Sequence, residues 1–300
     1  MSQTANVSFV QQFKGNIELL VQQMGSKLLP VVRTEKITGK STHFDRLGAG
    51  TASEVLTRHG DTPSPLNLVH SRRRCILRTF DAAELIDDAD KVRMLIDPTN
   101  EYSQSIAFAL GRQADDIILG ALYGSAATVD SADAQSTASL GSGQIVDEDF
   151  NSESNSKLTL AKLREARRIL ASSDVNLDAE MPVMIISPTD MDALLAITAV
   201  TSSDYNTVKT LVNGRVDTFM GFKFIETTRL DAATHLTSEG FARCIAFVPS
   251  ALGVATGRDI NVRISERDDK RYSTQVYGAM DIGAVRRQEE KVVIIESYRA

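Results

Sequence analysis

Tryptophan is absent from the 300-residue chain, and aromatic residues make up only 6% of it. A binding pocket built on aromatic stacking is therefore not expected. The two cysteines, Cys75 and Cys244, cannot form a disulfide framework, and with only four scattered histidines they cannot complete a four-ligand zinc site. We predict no metal site, no cofactor and a reducing environment.

Long apolar runs are also missing from the sequence. No stretch approaches the roughly 20 apolar residues of a membrane-spanning helix, and residues 1–5 lack the basic segment of a secretory signal. We therefore expect neither membrane association nor export.

The formal net charge is −6, which argues against a globally basic nucleic-acid binder, but the charge is spread unevenly. Residues 33–78 carry nine basic and four acidic residues, a net of +5, whereas residues 80–123 carry three basic and nine acidic residues, a net of −6. Two adjacent segments of opposite sign attract each other, either within one subunit or between copies.

The first half of the chain predicts long, simple elements. Apolar spacing predicts an amphipathic helix over residues 7–24 and a second, long helix over residues 99–123 that follows an Asp97-Pro98 start. Residues 33–79 are polar, with strand-like ends, and predict a two-stranded arm without a core of its own. Residues 124–156 predict an acidic surface loop with a short hairpin near residues 144–146.

The second half of the chain predicts alternating helices and strands, followed by a series of strands. We predict a helix over residues 160–170, a buried strand over 182–186, a helix that begins after the Ser187-Pro188 cap, and a helix near 208–212. The remaining residues predict strands at 221–225, 244–248, 262–264, 272–277 and 291–296. The two cysteines lie in apolar strands, so we interpret them as buried thiols without a reactive role.

The motif most similar to an enzyme site is the segment Thr34–Ser41, whose Gly-Lys-Ser end matches a phosphate-binding loop. That loop needs a first glycine where Thr34 stands and a helix after Ser41, and the residues that follow are not helical. We interpret it as a turn. The adjacent pairs Asp87–Asp88 and Asp115–Asp116 are interpreted as solvated acids rather than metal ligands, because neighbouring helical residues do not share a face.

Arg72, Arg73 and Arg74, followed by Arg78, form the strongest electrostatic signal. Such a run can contact nucleic-acid phosphates, but side chains of a strand alternate between two faces, so the run is divided. Because an acidic segment follows directly, we favour protein carboxylates as its partners.

The order of these elements resembles that of tailed-bacteriophage major capsid proteins, whose fold is shared with the herpesvirus capsid floor and with encapsulins. The resemblance rests on residues 214–225, with Gly214, Gly221-Phe222 and a strand, and on the strand followed by Ala251-Leu252. Strands at residues 272–277, 283–285 and 292–295 complete it. The similarity of layout covers nearly the whole chain.

The resemblance implies an α+β fold with an N-terminal arm, an extended β-hairpin loop, a peripheral domain with a long spine helix, and an α/β axial domain. The implied boundaries are 1–32 for the N-terminal arm and 33–79 for the extended loop, which is the two-stranded arm named above and lies over a neighbouring subunit. The peripheral domain would contain 80–125 and 270–300, the acidic surface loop 126–156, and the axial domain 157–269.

The implied function is that of a structural, non-enzymatic shell protein. Many copies would form hexamers and pentamers around double-stranded DNA, with a separate scaffolding protein, a portal and decoration proteins as partners. The setting would be the virion, after assembly in a bacterial cytoplasm. An encapsulin-type compartment and, less favoured, a nucleotide-binding enzyme remain as alternatives.

The basic arm and the acidic segment suggest how subunits contact each other. We expect arginines of the arm to pair with carboxylates near the spine helix, partly across subunit boundaries, although each exposed pair contributes only about 0–1 kcal/mol. The candidate contact residues are Arg72, Arg73, Arg74, Arg78, Asp87, Asp88, Asp90, Asp115 and Asp116.

Overall fold

The structure is a computed structural model that describes residues 22–52, 54, 68–87, 99–129, 135–152, 156–197, 216–231 and 241–298. Most of the predicted helix at 7–24, the predicted helix near 208–212, and the candidate residues Asp88 and Asp90 lie outside these ranges. No helix in the described ranges is long and apolar enough to cross a membrane.

Three α-helices occur in the described residues, at positions that the sequence predicts. They are α1 (Thr99–Tyr123), α2 (Leu160–Ser172) and α3 (Pro188–Leu195). Helix α2 begins after Thr159, whose side chain accepts a hydrogen bond from the Lys162 amide, and α3 begins after Ser187, whose side chain accepts one from the Asp190 amide. These caps satisfy amide groups that the first turn of a helix leaves unpaired.

The largest sheet has six strands in the order β7-β14-β11-β8-β10-β9. The strands are β7 (Ile145–Val146), β8 (Val183–Ile186), β9 (Thr218–Phe219), β10 (Phe222–Glu226), β11 (Ala242–Phe247) and β14 (Val292–Ser297). Strands β8, β11 and β14 are almost fully buried, which agrees with their largely apolar sequences. Leu163 and Leu170 of α2 pack with Met184 and Phe222 in the core of this sheet.

A second sheet contains the predicted arm and has the order β2-β3-β5-β6. Its strands are β2 (Ser41–Leu47), β3 (His70–Ile76), β5 (Ala126–Val129) and β6 (Gln135–Ala138). The prediction of two paired arm strands is confirmed, because β2 and β3 are antiparallel over their whole length, from Ser41↔Ile76 to Leu47↔His70. The base of the arm does have a small core, in which Phe44 and Cys75 pack with Ala126, Ala255 and Val285.

A third sheet has the order β1-β12-β13-β4. It consists of β1 (Thr34–Lys36), β4 (Arg78–Ile86) and the two long strands β12 (Leu252–Arg267) and β13 (Ser273–Arg286). Strand β1 pairs in parallel with only three residues of β12, from Val254 to Thr256.

The described chain divides into two compact units. One consists of the described residues among 1–26, 79–113 and 258–281, and the other of the described residues among 27–78, 114–257 and 282–300.

Two of the boundaries expected from the sequence differ from this division. The segment 126–156 was expected to be a surface loop, whereas it contributes β5 and β6 to the arm sheet and β7 to the six-stranded sheet, where β7 is parallel to β14 rather than part of a hairpin. Residues 270–300 were expected in one domain, whereas β14 pairs with β11 inside the larger unit. Small polar residues dominate 124–156, so the sequence does not show that β3 and β14 provide edges for these short strands.

Candidate contact surfaces

The arm sheet divides its three consecutive arginines between two faces. Directly opposed residues of an antiparallel pair share a face, so Arg73 lies beside Phe44 on the buried face, and Arg72 lies beside Asp45 on the other. Arg73 is only 3% exposed. The sequence-based expectation that the run is split is therefore confirmed.

Glu289 is the partner of Arg73 in this structure. The Arg73 guanidinium donates to both carboxylate oxygens at 2.7 Å and also contacts the Thr128 hydroxyl. Arg46 of β2 donates to the same carboxylate at 3.3 Å. Burial lowers the pKa of Arg73, and the charge of Glu289 acts in the opposite direction. One carboxylate thus holds both strands of the arm at its base.

Arg286 completes this cluster from strand β13. It is fully buried, and its Nε lies 3.6 Å from Glu289 Oε1. It donates to the carbonyl oxygens of Leu122 at 2.8 Å, Gly124 at 2.7 Å and Ala138 at 3.0 Å. Helix α1 has no basic residue in its last turn, so Arg286 supplies the positive charge that its C-terminal carbonyls favour. Burial lowers the pKa of Arg286.

Glu289 and Arg286 are functional residues that local sequence patterns do not single out. Both lie in a charged stretch, residues 286–291, that looks like an ordinary solvated turn, and Glu289 is 216 residues from Arg73. No local pattern could connect them.

The other arginines of the run are accessible. Arg72 pairs with Asp45 across the strands at 2.9 Å, and both side chains are more than half exposed, at 59% and 76%. Arg74 is half-buried and Arg78 is exposed. Leu47, Val69 and Ile76 are exposed apolar residues of the same arm. The outer face therefore offers both positive charge and apolar surface to another molecule.

The two aspartates of α1 have partners in their own chain. Asp115 is fully buried and accepts hydrogen bonds from the backbone amides of Lys27 at 3.0 Å and Leu28 at 3.1 Å. Asp116 pairs with Arg229, and this contact raises the pKa of the arginine. Asp115 therefore has an internal role in this chain, since a fully buried carboxylate does not reach another subunit. The interpretation of the Asp115–Asp116 pair as solvated acids is wrong for Asp115.

Asp87 lies at the end of β4 and remains exposed. It accepts a hydrogen bond from the Ser273 hydroxyl at 2.9 Å. Arg72, Arg78 and Asp87 thus combine charge with exposure, whereas Arg74 is half-buried, and the role of these four residues between subunits stays a prediction.

Of the residues considered above as candidates for enzyme chemistry, Ser41, Cys75 and Cys244 lie in strands. Ser41 begins strand β2, whereas a phosphate-binding loop needs a helix there. Cys75 and Cys244 are buried, as predicted. Within the described ranges, no three His, Cys, Asp or Glu side chains are grouped to hold a metal ion.

Comparison with known proteins identifies the family. A family model described as phage capsid protein matches residues 5–298. The chain belongs to the phage capsid protein family. The resemblance to phage major capsid proteins and the predicted function, a structural major capsid protein of a phage shell, are thereby confirmed. The capsid protein acts in the virion as many copies of itself.

Solved structures confirm the predicted α+β capsid fold. The cyanophage Pam1 capsid is 14% identical, with 98% of this chain and 97% of that chain covered and a TM-score of 0.74. The cyanophage P-SCSP1u capsid is 16% identical, covering 98% and 94%, with a TM-score of 0.70. The Ralstonia phage GP4 capsid is 12% identical, covering 100% and 98%, with a TM-score of 0.67. No curated protein sequence matches the capsid protein.

Proposed function

We propose that this capsid protein forms hexamers and pentamers of an icosahedral shell that encloses double-stranded DNA. The observation that carries the proposal is the asymmetry of the arm. Its inner face is fixed by Phe44, Cys75 and Arg73, whereas its outer face exposes Leu47, of which 58% is accessible, together with Arg72 and Asp45. An anchored strand pair with an apolar and charged outer face fits a surface that a neighbouring subunit covers.

The proposed partner of the outer face is acidic. We assign Arg72, Arg74 and Arg78 of one copy to carboxylates of a neighbour, with Asp87 as the exposed candidate in the described chain and Asp88 and Asp90 beside it in sequence. Arg73 and Asp115 serve their own subunit instead, because their partners are internal.

The proposed regions follow the family layout, with the N-terminal arm at 1–32, the two-stranded arm described above as the extended loop at 33–79, and a peripheral and an axial domain. The two compact units support a peripheral part at 79–113 and 258–281 rather than one that includes β14. A separate scaffolding protein, a portal and decoration proteins remain proposed partners, and the bacterial cytoplasm the proposed place of assembly.

Electron microscopy of the expressed full chain tests the proposal. We expect closed shells from the wild type and fewer shells from the variant Arg72→Gln/Arg74→Gln. The matched control is Arg168→Gln, because Arg168 is an exposed arginine of α2 that pairs only locally, with Glu165 at 2.5 Å. A wild-type protein that remains a compact monomer under all assembly conditions would contradict the proposal.

The encapsulin-type compartment is the second candidate, and the nucleic-acid content of purified particles distinguishes it. Ultraviolet absorbance of particles from infected cells should show DNA for a phage shell, and protein cargo alone would favour the compartment. Nucleotide-dependent thermal stabilisation would support the enzyme alternative.

A further inference from the structure

Among the described strands, β12 is an edge strand of its sheet from Arg258 to Arg267. Its neighbours in the sheet are β13 and β1, and β1 pairs only with Val254–Thr256. In the described part of the chain, the outer edge from Arg258 to Arg267 therefore has no strand beside it. Every residue of this segment is exposed except Val262, which is half-buried. A ten-residue open edge is a surface on which another strand can add.

One face of this segment is apolar at its centre. Alternation along the strand places Arg258, Ile260, Val262, Ile264 and Glu266 on the same face. Ile260 is 38% exposed and Ile264 is 56% exposed. Val262 packs over Gly278 of its own unit. A Cβ added to Gly278 would lie 3.6 Å from Val262 Cγ2 and would also contact Ile106 and Leu110 of α1.

The sequence of this face is self-complementary about Val262. When two copies of the segment run antiparallel with Val262 opposite Val262, each Ile260 lies opposite an Ile264, and each Arg258 lies opposite a Glu266. The apolar residues then form one continuous patch. At each end Arg258, which pairs with Asp281 of its own chain at 3.2 Å, also faces Glu266 of the other copy. Cross-strand pairs of these two types stabilise a sheet.

Other arrangements lose this match. A shift of one residue places Ile260 opposite Ser265, on the other face of the strand. A shift of two residues places Arg263 opposite Arg263 and Ile260 opposite Glu266. A parallel arrangement opposes Arg258 to Arg258 and Glu266 to Glu266, and like charges directly opposite each other are destabilising.

We propose that two copies of the capsid protein join edge to edge through Arg258–Arg267, antiparallel about a twofold axis at Val262. The partner is a second copy of this chain, because one segment presents both halves of the apolar and charge match, as a closed twofold interface requires. This inference rests on the proposed assembly from many copies and adds a specific contact to it.

Cysteine pairs test the register. In the proposed arrangement the Cα atoms of Ile260 and Ile264 from opposite copies are about 4.5–5.5 Å apart, within the range of a disulfide. Shells assembled from an equal mixture of Ile260→Cys and Ile264→Cys subunits should form covalent dimers on mild oxidation. Shells of either variant alone should not, since identical positions are then offset by four residues, about 13 Å. The native cysteines are buried and do not compete.

The outcomes separate this inference from the proposed function. Wild-type and mixed shells that form without covalent dimers would overturn the edge pairing and leave self-assembly intact, and would indicate that another segment or protein occupies the edge. Equal dimer yields from the mixture and from the single variants would also overturn it. A wild-type chain that never forms shells would remove the proposed function itself.

A charge variant tests the ion pairs. Adding Glu266→Arg to both cysteine variants should lower the dimer yield several-fold, because Arg258 then faces a second positive charge. The control adds Ser265→Arg, which places an arginine one residue away, opposite Asp259 instead of Arg258. That control should keep the dimer yield, and an equal loss from both substitutions would contradict the register.

Discussion

Nη2 of Arg73 in strand β3 donates to both carboxylate oxygens of Glu289, which precedes strand β14, at 2.7 Å each. Arg46 of β2 shares the same carboxylate. The arm of this capsid protein is therefore fixed at its base by charge as well as by the packing of Phe44 and Cys75. A fixed base gives the exposed outer face a defined direction from which to contact a neighbour.

Replacing Glu289 should loosen the arm. In Glu289→Gln, the buried guanidinium of Arg73 loses its counter-charge, and breaking a buried pair by removing one partner costs about 3–5 kcal/mol. Because Glu289 is partly exposed, at 16% of its side chain, we expect the lower end of that range. Denaturant unfolding of the unassembled subunit measures the change.

Asp45→Asn is the matched control for that experiment. This substitution breaks the Arg72–Asp45 pair on the same two strands. Because both side chains of that pair are largely exposed, the loss of folding stability should be about 0–1 kcal/mol. Equal losses from the two variants would show that Glu289 does not anchor the arm.

Two glycines of helix α1 should respond to alanine with opposite sign. A Cβ on Gly111 would lie 2.7 Å from the Gly25 backbone, so Gly111→Ala forces the backbone apart and should destabilise the protein by about 1–3 kcal/mol. A Cβ on Gly120 meets nothing within 4 Å, so Gly120→Ala should stabilise the helix by up to about 1 kcal/mol. Thermal unfolding of both variants checks this, and two changes of the same sign would refute it.

Asp115→Asn should release the segment that follows residue 26. The amide group replaces one acceptor oxygen with a donor that faces a backbone N–H, so one hydrogen bond to Lys27 or Leu28 is lost, at a cost of about 1–3 kcal/mol. Hydrogen exchange at the amides of these two residues should accelerate. In Asp116→Asn, which affects the half-buried pair with Arg229, exchange at the same amides should change little, and unchanged protection in both variants would exclude the proposed role of Asp115.

Stability should fall at alkaline pH through Cys75. Burial raises the pKa of this thiol from 9.0 to about 11. Between these values the unfolded chain releases the proton while the folded chain keeps it, so the stabilisation is complete below pH 9 and is lost as the pH rises toward 11. Unfolding of Cys75→Ala should lack this part of the pH dependence, and an unchanged slope between pH 9 and 11 would contradict the assignment.

Much of the fold could be predicted from local patterns. The spacing of apolar residues predicted α1 with its observed end at Tyr123, and the Ser187-Pro188 cap predicted the start of α3. Paired arm strands followed from a polar segment with apolar ends. These features depend on residues a few positions apart, where backbone geometry links sequence to structure directly.

The strands at 126–146 were not predictable in the same way. Residues such as Gln135–Ala138 have no apolar alternation, and they form a strand because β5 provides an edge for them. The partners of the arginines escaped prediction for a similar reason, since alternation could divide Arg72 from Arg73 but could not show that Glu289 lies opposite the buried one.

The sequence by itself determined the three described helices, the paired strands of the arm and the order of elements that resembles the family, because each of these depends on residues close together in the chain. Only the tertiary structure decided which charges are internal and which face outward. Arg73 and Asp115 are internal because chain folding brings distant partners to them and removes the water that would otherwise solvate them. Arg72 remains accessible for contacts between copies because it lies on the outer face of β3, and Asp87 is exposed just beyond the end of β4.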